Sequence, residues 1–193
     1  MSDQDEAARV ALLSEQRLFP ATRLLSPAEA VGAGKVLLVR TTADRFPAQA
    51  SVDLARIGTE RDWADYADRR TAVEAGFGVG EAAARAMVAD LRERTGRLGL
   101  SLYLARDAGN LVGAVARLRL LEPLEHWARL QEVDVFPSYR GQRYGNALLA
   151  AVLDLLADEG TTRVVVGADE DGWPLTWYRR RGFHDVARVS LTR

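Results

Sequence analysis

A strand, a basic turn and a helix follow one another without interruption over residues 132–149. An apolar run ends at Pro137, the turn carries Arg140, and a helical pattern starts near Arg143 and runs to about Asp158. The first backbone amides of a helix are unpaired and lie at the positive end of its dipole, so they can bind phosphate. Two interpretations of this segment stay open: an anion-binding turn, or an ordinary connection between a strand and a helix.

The familiar phosphate-binding motifs are excluded. The sequence contains no G-x-x-x-x-G-K-[ST] run, so the turn is not a P-loop. Gly76, Gly78 and Gly80 do not have G-x-G-x-x-G spacing, and they follow a helical pattern rather than a strand. A dinucleotide fingerprint is therefore not expected.

Composition narrows the class of protein. The 193 residues are enough for a sizeable core, and a formal net charge of −1 argues against general nucleic-acid binding. There is no cysteine, which excludes thiolate catalysis and Cys-ligated zinc, and with only His126 and His184 we expect no metal site. No apolar run reaches membrane length and the acidic start lacks a signal-peptide pattern, so we expect a cytoplasmic protein without a membrane partner.

The N-terminal third is predicted to be helical and then extended. Helical spacing indicates a helix over about residues 4–17, and Ser26 to Glu29 resembles the start of a second. Residues 1–33 would form a packing arm or, alternatively, an arm of a homodimer. Residues 35–41 and 51–57 read as strands, which we expect to form an antiparallel hairpin with the first strand at the sheet edge.

Two helices and a meander follow. Thr59 is a good N-cap for one helix, and residues 81–95 form the next, with Gly96 at its end. Its inward face would carry Ala84, Met87, Val88 and Leu91.

Strands are predicted over residues 100–106, 111–121 and 127–136, the first two joined by a tight turn at 107–110. A buried strand over 162–168, parallel to its neighbour, follows the helix that starts near Arg143. A short helix at Pro174 and a strand over 184–192 end the chain.

Two motifs resemble the GCN5-related N-acetyltransferases. Val135 and Pro137 at the strand end, then Arg140 and Gly145, are similar to that family's acyl-CoA segment, [Q/R]-x-x-G-x-[G/A], although Arg143 replaces the middle glycine. The family also has a short helix that ends Tyr-x-x-x-Gly-Phe, which Tyr178, Gly182 and Phe183 match. Together the two matches cover about residues 51–190.

The resemblance implies a fold and a domain division. The fold would be α/β (α+β), with a mixed, mostly antiparallel sheet, a V-shaped splay between the family's fourth and fifth strands, and helices on both faces. Residues 1–48 would be a helical extension with an added edge strand, and residues 49–193 the acyltransferase domain. The family often has two closing strands where this chain has length for one, and the extra N-terminal strand could compensate.

The resemblance also implies a reaction. An acetyl group would pass from acetyl-CoA directly to a primary amine of a small molecule or peptide, without a covalent enzyme intermediate. The alternative is a non-catalytic acyl-CoA sensor or interaction module of the same fold.

Cofactor contacts are assigned by position in the resemblance. The backbone of Val133, Asp134 and Val135 would bind the pantetheine arm. The remaining cofactor-binding residues would be Arg140, Gly141, Gln142, Arg143, Tyr144, Gly145, Asn146, Asp171 and Tyr178.

Catalytic and acceptor residues are assigned with alternatives. Tyr178 would protonate the leaving thiolate, or else only pack beneath the cofactor. Glu132 and Asp134 are the candidate general bases, or else solvated surface acids. The acceptor would contact Asp169, Glu170, Trp63 and Tyr66, although the two acids could equally be solvated surface groups and the two aromatic residues could belong to the core.

Overall fold

The computed structural model describes residues 2–26, 29, 34–45 and 48–190. Its helices are α1 (Asp3–Leu18), α2 (Glu60–Ala75), α3 (Glu81–Leu98), α4 (Tyr144–Asp158) and α5 (Trp173–Arg179). Its strands are β1 (Lys35–Thr41), β2 (Asp53–Arg56), β3 (Leu100–Asp107), β4 (Asn110–Arg119), β5 (Trp127–Val135), β6 (Arg163–Asp169) and β7 (His184–Val189).

The strands form one sheet in the order β2-β3-β4-β5-β6-β1-β7. β1 is antiparallel to both β6 and β7, and β3 is antiparallel to both β2 and β4. The β5–β6 pair is parallel, as the sequence predicts, but its ladder covers only Trp127 to Arg129 although both strands continue. A mixed, mostly antiparallel sheet is thereby confirmed, and the short ladder agrees with the predicted splay.

The chain divides into two compact units that do not follow the predicted boundary at residue 48. The first unit comprises residues 1–46, 119–131 and 156–193, and the second comprises 47–118 and 132–155. The predicted division into an extension and a catalytic domain stays a prediction.

In the first unit, α1 packs on β1, β6 and β7, and α5 packs on β6. A capping box starts α1, with the Ser2 hydroxyl and the Asp5 carboxylate each accepting from the other residue's backbone amide. Val10, Ala11 and Leu18 are buried on its inner face. This helix is thus part of the core of its unit.

The predicted hairpin of the first two strands is wrong, as is the edge position of the first. β1 lies between β6 and β7, whereas β2 pairs with β3. Val36 to Val39 are all buried, so β1 is apolar on both faces and suits an interior position. β1 thus pairs with β7 on one side and with β6 on the other.

In the second unit, Thr59 caps α2 with Asp62 in a second capping box. The turn Ala108–Gly109, with φ of 46° and 82°, joins β3 to β4 as predicted. Two details of α3 are corrected: it ends at Gly99, whose φ is 70°, rather than at Gly96, and Met87 is 45% exposed. Within α3, Ala84 and Val88 are the two fully buried residues. Their direct neighbours in the sequence are exposed.

Some predictions reach beyond the described residues. The second helix start includes residues 27, 28 and 30–33, which lie outside them, although the Ser26 amide does donate to Glu29 at 3.0 Å. The end of the last predicted strand, residues 191–192, also lies outside them. Within the described ranges, no helix has the length and apolar character needed to span a membrane.

Candidate functional site

The last part of β5 departs from regular strand geometry. Glu132 has a φ of 50°, in the left-handed region that non-glycine residues rarely adopt and that recurs at functional sites. β4 approaches closely here: a Cβ built on Gly113 would lie 2.5 Å from the carbonyl oxygen of Asp134. Glycine is therefore required at 113 for the two strands to come together.

Arg70 on α2 joins the Glu132 and Asp134 carboxylates through one nitrogen. Its Nη1 atom lies 2.8 Å from Oε2 of Glu132 and also contacts Oδ2 of Asp134. Its Nη2 atom lies 2.5 Å from Oε1 of Glu74, one helical turn away on α2. One guanidinium thus faces three carboxylates in a largely buried cluster, where the Arg70 side chain is 14% exposed.

The electrostatics of this cluster depend on burial. Burial raises the pKa of Glu132 and of Asp134, and the positive charge of Arg70 opposes that rise in both cases. Burial lowers the pKa of Arg70, but Glu132 and Asp134 more than compensate and raise it. The cluster therefore holds a permanent cation beside two carboxylates with increased proton affinity.

Tyr66 and Trp63 lie on α2, where the sequence placed them. Tyr66 is fully buried, its hydroxyl has no hydrogen-bond partner among the described residues, and burial followed by the Glu132 charge raises its pKa. Trp63 is half-buried and meets the Tyr66 ring edge-on at a centroid distance of 6.3 Å. Tyr66 is thus a core aromatic whose polar end remains available beside the carboxylates.

The basic turn follows β5 through a 3₁₀ helix, Pro137–Tyr139. Gly141 has a φ of 76°, and Arg143 has a φ of 70°, so Arg143 does not continue the right-handed helix as expected; α4 begins at Tyr144. The left-handed conformation explains why glycine suits this position. The first amides of α4 after this residue have no acceptor one turn earlier within the helix itself.

Several side chains of the turn form hydrogen bonds with other residues of the chain. Arg140 donates through Nε to the carbonyl of Val135 at 3.1 Å, and Gln142 donates to the carbonyl of Ser138 at 3.0 Å. The Tyr144 hydroxyl donates to Asp107 at 2.5 Å, a hydrogen bond that raises the pKa of Tyr144. The Asn146 amide donates to the carbonyl of Arg143, while Gly145 occupies the first turn of α4.

Tyr178 belongs to the first unit, on α5, and is 7% exposed. Its ring packs edge-on against Phe183 and Trp177, with centroid distances of 5.2 Å and 5.0 Å. Gly182, with a φ of 78°, ends this segment and directs the chain towards the start of β7. The Tyr-x-x-x-Gly-Phe motif therefore forms a packed aromatic cluster.

The first unit also contains a buried ion pair that the sequence analysis missed. Arg129 on β5 pairs with Glu15 on α1, and both side chains are almost completely buried. Glu15 also pairs with Lys35 at 3.0 Å. Burial lowers the pKa of Arg129, while Glu15 and, to a smaller extent, Tyr178 oppose that change.

The predicted acceptor acids at the end of β6 differ in environment. Asp169 is exposed, whereas Glu170 is half-buried and pairs with Arg188 at 3.0 Å. Asp171, which was predicted to contact the cofactor, is also exposed. Glu170 is therefore engaged with β7. Among the described residues, no group of histidine, aspartate and glutamate side chains is arranged to hold a metal ion.

Arg70 and Glu74 are the site residues that sequence reasoning missed. Arg70 lies on the face of α2 that also carries Tyr66 and Val73, both of which are buried. An arginine on an apolar helical face requires a buried acidic partner, and Glu74 at i+4 was a visible candidate. That signal could have placed Arg70 in the site, but it could not have identified Glu132 and Asp134 as its other partners.

Comparison with known proteins identifies the family. The sequence model of the Acetyltransferase (GNAT) family matches residues 78–183, which is more than half of the chain. The chain belongs to that family.

The most similar relatives include mycothiol acetyltransferases. That of Clavibacter sepedonicus is 40% identical over 88 residues, which are 45% of this chain and 28% of the relative. That of Clavibacter michiganensis subsp. michiganensis is 39% identical over 87 residues, with the same coverage of each chain. The match thus spans little more than a quarter of the length of these relatives.

Solved structures share the fold at low identity. A GNAT-family acetyltransferase from Colwellia psychrerythraea has a TM-score of 0.59 at 18% identity, covering 96% of this chain and 70% of that one. A GCN5-related N-acetyltransferase from Sphaerobacter thermophilus has a TM-score of 0.56 at 21% identity, covering 92% and 53%. These similarities establish the fold.

Proposed function

We propose that this protein is an N-acetyltransferase that moves an acetyl group from acetyl-CoA to a primary amine. Membership of the GNAT family supports acyl transfer. The observation that carries the proposal is the turn after β5, which leads into the N-terminus of α4 with its first amides and in which Arg140 and Arg143 add positive charge. Such amides suit a diphosphate.

The end of β5 would bind the rest of the donor. The pantetheine arm carries amides, which can pair with the backbone of Val133, Asp134 and Val135 where the β5–β6 ladder has ended. A backbone amide there could also hold the thioester oxygen as negative charge develops on it. The rest of the turn, through Asn146, completes the proposed donor site, and Asp171 stays a predicted contact.

Glu132 and Asp134 are the proposed bases. The amine nitrogen attacks the thioester carbon, the C–S bond breaks, and the proton lost by the nitrogen passes to one of these carboxylates, directly or through water. Their raised pKa values favour this role, because a base works best when its pKa approaches the working pH. Three carboxylates around Arg70 also attract a cationic acceptor.

Tyr178 is the proposed acid for the leaving thiolate. A phenol is protonated at neutral pH and can donate to the sulfur. The match of Tyr178, Gly182 and Phe183 to the family motif supports this role, while its burial among aromatic rings also fits a packing residue.

The acceptor would be a small-molecule or peptide amine. Trp63, Tyr66, Asp169 and Glu170 stay the residues predicted to contact it. Two relatives carry the name mycothiol acetyltransferase, which favours a small-molecule acceptor.

Thiol release from acetyl-CoA in the presence of a panel of amines tests the proposal. An enzyme releases CoA at a rate that depends on one class of amine and forms the matching N-acetyl product. Tight acetyl-CoA binding without turnover of any amine would contradict it and would favour an acyl-CoA sensor of the same fold.

A further inference from the structure

We propose that Arg70 is a positioning residue for the acid–base pair: it holds Glu132 and Asp134 on one nitrogen so that both stay charged in a largely buried site. This inference rests on the proposed function of the two carboxylates as bases. Arg70 would act through the carboxylates and would not itself touch the reacting atoms.

The geometry supports a shared contact. Nη1 of Arg70 contacts both carboxylates, whereas Nη2 is directed to Glu74 at 2.5 Å. The guanidinium therefore fixes the distance between Glu132 and Asp134 from outside β5. Because both carboxylates contact the same nitrogen, they lie close together and would otherwise repel each other.

The surrounding charges leave Arg70 as the principal cation. Glu74 adds negative charge to both carboxylates, while Arg94 on α3 acts on Glu132 and Arg140 on the turn acts on Asp134, each with a smaller effect than Arg70. Tyr66 on α2 is the remaining titratable neighbour, and its buried hydroxyl has no partner in the described chain. This unpartnered hydroxyl marks the cluster as a place where a further polar group can bind.

Loss of the cation has a defined chemical consequence. Two adjacent carboxylates without a counter-charge share a proton, so one of them becomes neutral at a higher pH than before. The shared proton would occupy the lone pair that must accept the proton of the amine. Arg70→Gln therefore leaves one of the two carboxylates protonated at a higher pH than in the wild type, while Arg70→Lys keeps the charge and loses the fork of donors.

Carbon-13 NMR titration of the side-chain carboxyl groups tests this without any acceptor. Both carboxylates should be ionised at pH 7 in the wild type, and in Arg70→Gln the titration of the pair should move up by about 1–3 pH units. Arg70→Lys should move it less. Arg85→Gln is the matched control, since Arg85 makes exposed ion pairs with Glu81 and Asp68 on the helical surface.

Unchanged midpoints in Arg70→Gln would overturn the inference. If that variant does not fold, the wild type decides: a neutral Glu132 or Asp134 at pH 7 would overturn the inference, and two ionised groups would support it. With an active acceptor, the acid limb of kcat/KM should shift upward in Arg70→Gln and stay in place in Arg85→Gln. If no amine is turned over, the proposed function fails, and the carboxyl titration still decides the role of Arg70.

Discussion

A Cβ built on Gly167 of β6 would lie 2.8 Å from Nη2 of Arg129 on β5. The same carbon would lie 2.9 Å from Cδ of Lys35 on β1. Gly167 therefore leaves the space in which Arg129 pairs with Glu15 of α1. The absence of a side chain at one position of β6 thus permits the buried ion pair between α1 and the sheet.

Gly167→Ala should destabilise the protein by about 1–3 kcal/mol, because an overpacked core must move buried side chains. Guanidinium chloride denaturation measures the change. Gly96→Ala is the control, since Gly96 lies in α3 with no neighbouring atom near an added Cβ, and it should be neutral or gain up to about 1 kcal/mol. Equal stability of Gly167→Ala and the wild type would show that Arg129 has room to move.

Arg143→Gly should increase stability by about 1 kcal/mol. Arg143 has a φ of 70°, a conformation that costs a non-glycine residue energy and that glycine adopts freely. Thermal unfolding followed by circular dichroism measures the effect. Gly141→Ala, at a φ of 76° in the same turn, should lose a similar amount. A less stable Arg143→Gly protein would mean that the arginine side chain contributes more than its backbone costs.

Tyr178→Phe should lower kcat roughly 100-fold and leave acetyl-CoA affinity nearly unchanged, because the phenol proton is needed when the thiolate leaves. Tyr103→Phe controls for loss of a hydroxyl from another buried tyrosine. Steady-state kinetics and calorimetry provide the two quantities. Full turnover in Tyr178→Phe would make Tyr178 a packing residue of the aromatic cluster with Phe183.

The pH midpoint of the acid limb of kcat/KM should lie above the usual pKa of a carboxyl group, which is about 4. The base acts when deprotonated, and burial raises the pKa of both Glu132 and Asp134, so activity should fall at a higher pH than for an exposed carboxylate. As a control for unfolding, the enzyme is pre-incubated at each acidic pH and assayed again at pH 7, where it should regain full activity.

The same profiles for Glu132→Gln and Asp134→Asn distinguish the two candidates. The variant that lacks the base should lose both most of its turnover and the acid limb. If both variants keep the wild-type limb, the base lies elsewhere.

Local sequence signals predicted most elements but not their partners. Thr59 with Asp62 marked the start of α2, and the turn at Ala108–Gly109 fixed the β3–β4 hairpin, because these signals act within a few residues. The pairing of β1 with β6 and β7 joins distant segments. Chain proximity suggested a hairpin with β2 at the sheet edge instead, although the continuous apolar run of residues 36–39 favours an interior strand.

The site was predictable in part for the same reason. Glu132 and Asp134 were predicted from their position in the family resemblance, and in the structure both contact Arg70. Arg70 joins them from 62 residues earlier in the chain, a relation that depends on how α2 packs. The left-handed backbone at Arg143 could not be predicted either. A glycine at this position would have indicated a positive φ, whereas an arginine does not.

Calorimetric titration with acetyl-CoA tests the central claim, that the turn after β5 binds the diphosphate of the donor. Arg140→Glu should weaken binding at least about tenfold, equivalent to about 1.4 kcal/mol. Arg97→Glu, an equal charge change at an exposed position of α3, should bind like the wild type. Undiminished affinity in folded Arg140→Glu protein, or no acetyl-CoA binding by the wild type, would contradict the account.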